Sequence, residues 1–152
     1  MNFDKTDAEI LKILQKDSSK PFVEIAKKLG VTDGTIHQRI KKLKKVGAIK
    51  RFTVELDHKI LGESSIAFIF LNIKPGYIES VSRTISDFEN VMEVYEVHTR
   101  GGLLVKIRAS SPEGLRNIVI DKIRTIEGVV NTELTPVFKR WKEESNLPIA
   151  IA

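Results

Sequence analysis

The spacing of apolar positions changes period near residue 48, and the two periods imply two kinds of structure. In residues 21–47, PFVEIAKKLGVTDGTIHQRIKKLKKVG, the period is helical. Ile25, Ala26 and Leu29 form the inner stripe of a short helix whose first position suits Pro21. After a tight turn at Gly30, Ile36, Ile40 and Leu43 form the stripe of a longer helix capped by Thr32. Ahead of this pair, Ala8, Ile10, Leu11, Ile13 and Leu14 give a broad apolar face to a helix ending near Lys16. Thr6 or Asp7 can cap it, and Glu9 suits its first turn. Phe22, Val31 and Val46 fill the gaps of a small three-helix core.

Gly47 suits the residue just past the third helix, and beyond it the period becomes two. Phe52, Val54 and Leu56 alternate with Arg51, Thr53 and Glu55, which predicts a half-buried linking strand. A loop at Leu61-Gly62-Glu63-Ser64 follows, then the apolar strand SIAFIFLNI over residues 65–73 and a turn at Lys74-Pro75-Gly76. A helix from Tyr77 to Phe88 turns Val81 and Ile85 inward. Strands at Val91–His98 and Leu103–Ala109 flank a turn at Thr99–Gly102. Ser111 and Pro112 open a helix to about Ile126, and Asn131–Phe138 is the last strand. The order β-α-β-β-α-β is a split βαβ, ferredoxin-like fold. The expected class is α+β: a three-helix (winged) helix-turn-helix domain over 1–50, a strand linker over 51–63 and a ferredoxin-like domain over 64–152.

Both helices of such a fold cover one face of the sheet. Strand 65–73 is apolar on both faces, with Ile66, Phe68 and Phe70 on one side and Ala67, Ile69, Leu71 and Ile73 opposite. Strands of that kind are buried on both sides, so a second copy of the sheet, and hence a homodimer, is expected to cover the open face. The alternative cover is the chain's own C-terminal segment, Leu147-Pro148-Ile149-Ala150-Ile151.

The hydrophobic and charged fractions, 41% and 30%, are those of an ordinary globular chain. No apolar run is long enough to span a membrane, and the N-terminus lacks the basic-then-apolar pattern of a signal peptide. With no cysteine there is no disulfide, thiolate metal site or cysteine nucleophile, and a cytoplasmic address is expected. The net charge of +5 is unevenly placed. Residues 1–60 carry 14 Lys/Arg against 8 Asp/Glu, whereas residues 61–152 carry 11 against 12. A nucleic-acid-binding module joined to a module of another kind has that asymmetry.

Opposite the apolar stripe of the third helix lie Gly34, Thr35, Gln38, Lys41, Lys42 and Lys45, with His37 and Arg39 on the flanks. A Lys-rich face can be merely solvated. In a helix-turn-helix it is the face presented to the major groove. There, Thr35 and Gln38, with His37 and Asp33 beside them and Thr32 at the cap, would reach base edges. Lys20, Lys41, Lys42, Lys45 and Arg51 would hold phosphates. Arg39 would hold either a phosphate or an intramolecular carboxylate. An enzyme finds no support: His37, His58 and His98 are scattered, and no metalloprotease, phosphate-loop or nucleophile-elbow motif occurs. No cofactor or metal is expected.

The opening DAEILKILQKDSS, the middle segment EIAKKLGVTDGTIHQRIKKLKKVGAIKRFTVELD and the sheet-forming segments after residue 65 resemble the Lrp/AsnC family of leucine-responsive, or feast/famine, transcription regulators. The resemblance rests on Glu24-Ile25-Ala26, Ile36, Arg39, Leu43 and Gly47-Ala48-Ile49 in the family's order, and covers residues 3 to about 140. It implies a DNA-binding regulator and a dimer that assembles further, the octamer being the expected form. It also implies a C-terminal RAM domain that binds a small amino-acid effector where dimers meet. Carried onto this chain, the effector positions are Thr99, Arg100, Gly101, Gly102 and Leu103, Thr132 and Leu134 of the last strand, and Tyr77 as a wall. The family's loop often has a Gly and then an Asp before the third strand. Thr99 and Gly102 stand at those positions, so a carboxylate partner for an ammonium group is missing. Gly101-Gly102 could instead bring backbone N–H groups to an α-carboxylate, or could simply make a tight hairpin turn. The rival reading is an architectural protein that wraps DNA with little sequence preference and no effector.

Overall fold

A computed structural model of the chain describes residues 3–58, 60–62, 65–98 and 102–149. They divide into two compact units. The first runs from the N-terminus to Glu55 and includes the C-terminal stretch from Lys142; the second is Leu56–Trp141.

Three helices build the first unit: α1 (Lys5–Lys16), α2 (Phe22–Leu29) and α3 (Asp33–Lys45). Their apolar stripes meet as expected, burying Ile10, Ile13, Leu14, Ile25, Ala26, Ile36, Ile40 and Leu43. Ile49, rather than Val46, packs against this core, because Gly47 (φ +77°) turns the chain back after α3. The Ile49 amide then donates to the Leu43 carbonyl at 3.2 Å. Gly30, at φ +68°, ends α2 in the left-handed conformation that a side chain would disfavour. Thr32 caps α3, its hydroxyl accepting from the Thr35 amide at 3.2 Å.

Two caps differ from expectation. Asp4, not Thr6 or Asp7, caps α1, its carboxylate accepting from the Asp7 amide at 2.8 Å. Asp7 lies inside the first turn with no exposed surface. Pro21 precedes α2 instead of occupying its first position.

The linking segment over 51–57 forms no strand, and Phe52, Val54 and Leu56 are exposed. Alternation fits a strand, but a strand exists only where a neighbour completes its ladder of hydrogen bonds. Within this unit the Lys44 ammonium lies over the Phe52 ring, 4.7 Å from its centre. The C-terminal segment was only the alternative cover for the sheet. Leu147 exchanges two bonds with the Gln15 side-chain amide of α1, at 2.8 and 3.1 Å.

The second unit holds the expected order β1 (Ser65–Ile73), α4 (Ile78–Ser86), β2 (Val91–Val97), β3 (Gly102–Ala109), α5 (Pro112–Asn117) and β4 (Val129–Pro136). The sheet is antiparallel in the order β2-β3-β1-β4. Ala67, Ile69, Leu71 and Ile73 of β1 join Leu103, Val105 and Ile107 of β3 beneath Val81, Ile85, Leu115, Val119 and Ile123 from the helices. The second helix was expected to run unbroken to about Ile126. Instead α5 gives way at Ile118–Ile123 to wider π-helical turns, whose last bond runs from the Arg124 amide to the Val119 carbonyl at 2.9 Å.

Gly102 sits at the start of β3, paired with Asn72 on one side and Val97 on the other. A Cβ there would fall inside the Leu71 carbonyl. Gly102→Ala should therefore force the β1–β3 backbones apart and destabilise the second unit by about 3 kcal/mol, the upper end for an overpacked core. Urea unfolding of the full chain checks this, and an unchanged midpoint would contradict it.

Candidate nucleic-acid interface and effector positions

The outer face of α3 is built by the rotation that buries Ile36, Ile40 and Leu43. Burying that stripe turns Gln38, Lys41, Lys42 and Lys45 to solvent and leaves Thr35 half-buried beside the cap. Thr35 Oγ1 lies 2.8 Å from the capping Thr32 Oγ1, which fixes both hydroxyls at the helix start. His37, on the flank, packs edge-on against Phe22 at 4.9 Å between ring centres, and its Nε2 is 3.6 Å from Asp33. Lys20 and Arg51 lie outside the helix, Lys20 half-buried and Arg51 exposed.

Arg39 had two possible partners, and in the structure it has carboxylates. Its Nη1 donates to Asp4 Oδ2 and to Asp7 Oδ1, each at 2.7 Å. These two bonds push the guanidinium's pKa further up. The Asp7 amide, and then Arg39, hold the Asp4 carboxyl below its ordinary value of 3.8. Lys42 reaches toward the same pair, its Nζ 3.7 Å from Asp7 Oδ2. Asp4, Thr35, Gln38, Arg39 and Lys42 together line one shallow depression on this face. Lys41 and Lys45, by contrast, are exposed and have no partner among the described residues.

The effector positions fare differently. Thr99, Arg100 and Gly101 lie outside the described residues. Register places Leu103 and Thr132 on either side of Leu71 in one row across the sheet, on the face the helices cover. Leu103 is consequently a core residue, and Leu134 packs against the same core. The Thr132 hydroxyl is buried and accepts from Arg124 Nε at 2.7 Å. Gly102 owes its missing Cβ to the close approach of Leu71, a reason that needs no ligand. Tyr77 packs its ring against Gly128 and donates its hydroxyl to Glu127 at 3.1 Å, which raises its pKa.

Comparison with known proteins agrees with both halves. Residues 3–44 match the AsnC-type helix-turn-helix domain and residues 66–147 match the Lrp/AsnC ligand-binding domain. The HTH-type transcriptional regulator FL11 of Pyrococcus abyssi is 41% identical over 98% of this chain and 98% of its own. Among solved structures, E. coli AsnC superposes with a TM-score of 0.91 at 27% identity, covering 97% of this chain and 100% of that one. A Neisseria meningitidis transcriptional regulator in complex with L-Met has the same fold, with a TM-score of 0.90 at 21% identity over 97% of each chain. Relatives at this similarity are named as transcriptional regulators, not enzymes. The chain belongs to the Lrp/AsnC family of transcriptional regulators, joining an AsnC-type helix-turn-helix to a Lrp/AsnC ligand-binding domain.

Proposed function

We propose that this protein recognises specific DNA sites as a dimer, and that a small amino acid bound by its C-terminal domain adjusts that recognition. The observation carrying the first part is the outward stripe of α3. Thr35 and Gln38 stand near its N-terminal end, where a recognition helix meets base edges, and Lys41 and Lys45 follow as uncommitted cations. Gln pairs with adenine through both its donor and its acceptor, and the Thr methyl contacts that of thymine. The lysines hold phosphates and set register without reading sequence.

Dimerisation is supported by the face of the sheet that no helix covers. The register aligns Tyr95, Leu104 and Phe70 in one row across it, and Phe68 and Ile66 continue the same face along β1. Tyr95 is half exposed, and a second copy of the same face would cover its apolar surface. Effector binding is supported by the ligand-binding-domain match and by the L-Met complex of the Neisseria protein. The contacting groups would come from the end of the sheet near Tyr77 and the β2–β3 turn, since Leu103 and Thr132 are already committed inside the unit.

Two measurements check these readings. The first compares a duplex that the wild-type protein selects from a randomised pool with a scrambled duplex of equal length. Gln38→Ala should lose about 1–3 kcal/mol on the selected duplex and almost nothing on the scrambled one. Lys41→Ala should weaken both alike and lower the slope of log affinity against log salt by about 0.9. Equal losses on both duplexes for Gln38→Ala would remove its base-reading role. The second is a thermal-shift series with the twenty amino acids. At about 100 times its dissociation constant the effector should add about 2.7 kcal/mol. Silence from all twenty would favour an effector-free DNA-coating protein.

A further inference from the structure

Two carboxylates stand beside the face that α3 presents to DNA, and the phosphate-holding role of that face gives no reason for them. Asp4 and Asp7 oppose the approach of phosphates, and Asp7 is wholly buried, a costly place for a charge unless it is paired. One of its oxygens takes the 2.7 Å bond from Arg39. The other, Oδ2, is buried without a hydrogen-bond donor, and Lys42 Nζ stands 3.7 Å away. Meanwhile Asp4 closes a ring, accepting from the Asp7 amide through one oxygen and from Arg39 through the other.

We propose that Asp7 is a positioning residue for base reading: through Arg39 and Lys42 it fixes the rotation of α3 about its axis, so that Thr35 and Gln38 meet the bases together. The inference rests on the DNA-reading function proposed above. Apolar packing by Ile36, Ile40 and Leu43 has no strong directional preference, and it leaves the helix able to roll or slide by a fraction of a residue. Charge-assisted bonds at 2.7 Å are directional, and Arg39 ties α3 to both the cap and the first turn of α1. Arg39 follows Gln38 directly and lies one turn beyond Thr35, so a displacement at Arg39 displaces both readers. Asp4, Asp7, Arg39 and Lys42 also sum to no net charge. Lys42 thus belongs with the carboxylates, and phosphate binding falls to Lys41 and Lys45.

Charge and position make opposite forecasts for Asp7→Asn. Removing a negative charge should tighten binding to every duplex if charge alone counts, whereas loss of positioning should weaken the selected duplex alone. The experiment measures affinity of the full-length protein for selected and scrambled duplexes across a salt series. Asp7→Asn and Arg39→Gln should each lower the selected-to-scrambled ratio about tenfold, the scale of one base contact, with the salt slope on scrambled DNA unchanged. Arg39→Lys keeps the charge and the helix, so a phosphate contact would survive it. Its ratio should fall as well, because the shorter side chain carries its ammonium short of the point where Arg39 Nη1 meets both carboxylates. This variant decides the question should Asp7→Asn prove unfolded at the assay temperature. The inference is overturned if Arg39→Gln lowers the slope by about 0.9 with the ratio intact, if Arg39→Lys retains the wild-type ratio, or if Asp7→Asn tightens both duplexes equally. A wild-type ratio near one would overturn DNA reading itself, a different result from discriminating wild-type protein with unchanged variants.

Discussion

A buried carboxylate with a single strong partner is the constraint on which the N-terminal unit turns. Asp7 has no exposed surface and is held by Arg39, so the first turn of α1 and the middle of α3 cannot part without leaving a charge unpaired inside the protein. Removing one member of such a pair costs about 3–5 kcal/mol, several times the value of an exposed ion pair. That scale separates Asp7–Arg39 from an exposed pair such as Glu79–Arg83. Glu79–Arg83 is equally short, at 2.6 Å, but both side chains are about four-fifths exposed, and solvent screens them.

The same contrast orders the functional residues. Those bound into the frame, Asp4, Asp7 and Arg39, set where the helix lies. Gln38, Lys41 and Lys45 are exposed, and they are available to whatever the helix meets. In the second unit, Leu103 and Thr132 are likewise committed internally. The proposed effector contacts therefore fall at the end of the sheet, not among the residues that complete the core.

Much of this could be read in the chain. The stripe of Ile36, Ile40 and Leu43, the cap at Thr32, the turn at Gly47 and the βαββαβ order all follow from local periodicity and capping chemistry, and each is found in the fold. The failures have physical causes too. Phe52, Val54 and Leu56 alternate like a strand, but alternation cannot supply the neighbour a strand needs. The π-helical turns at Ile118–Ile123 share the apolar pattern of an α-helix and leave no separate sign. Thr6 and Asp7 are both candidate caps of α1 because Thr and Asp are favoured there, yet Asp4 caps it. A signal was present, since Asp7 falls on the apolar stripe of Ile10 and Leu14, where an acid needs a buried cation. The partner, 32 residues away, is visible only in three dimensions.

The central proposal is that the two identical reading helices of a dimer address DNA together. It is tested most directly by changing the spacing between the two halves of a selected site. Inserting about five base pairs, half a helical turn, should abolish footprint protection of one half, and inserting about ten should restore it in part. Protection of both halves irrespective of spacing would mean that the helices act independently and would contradict the account.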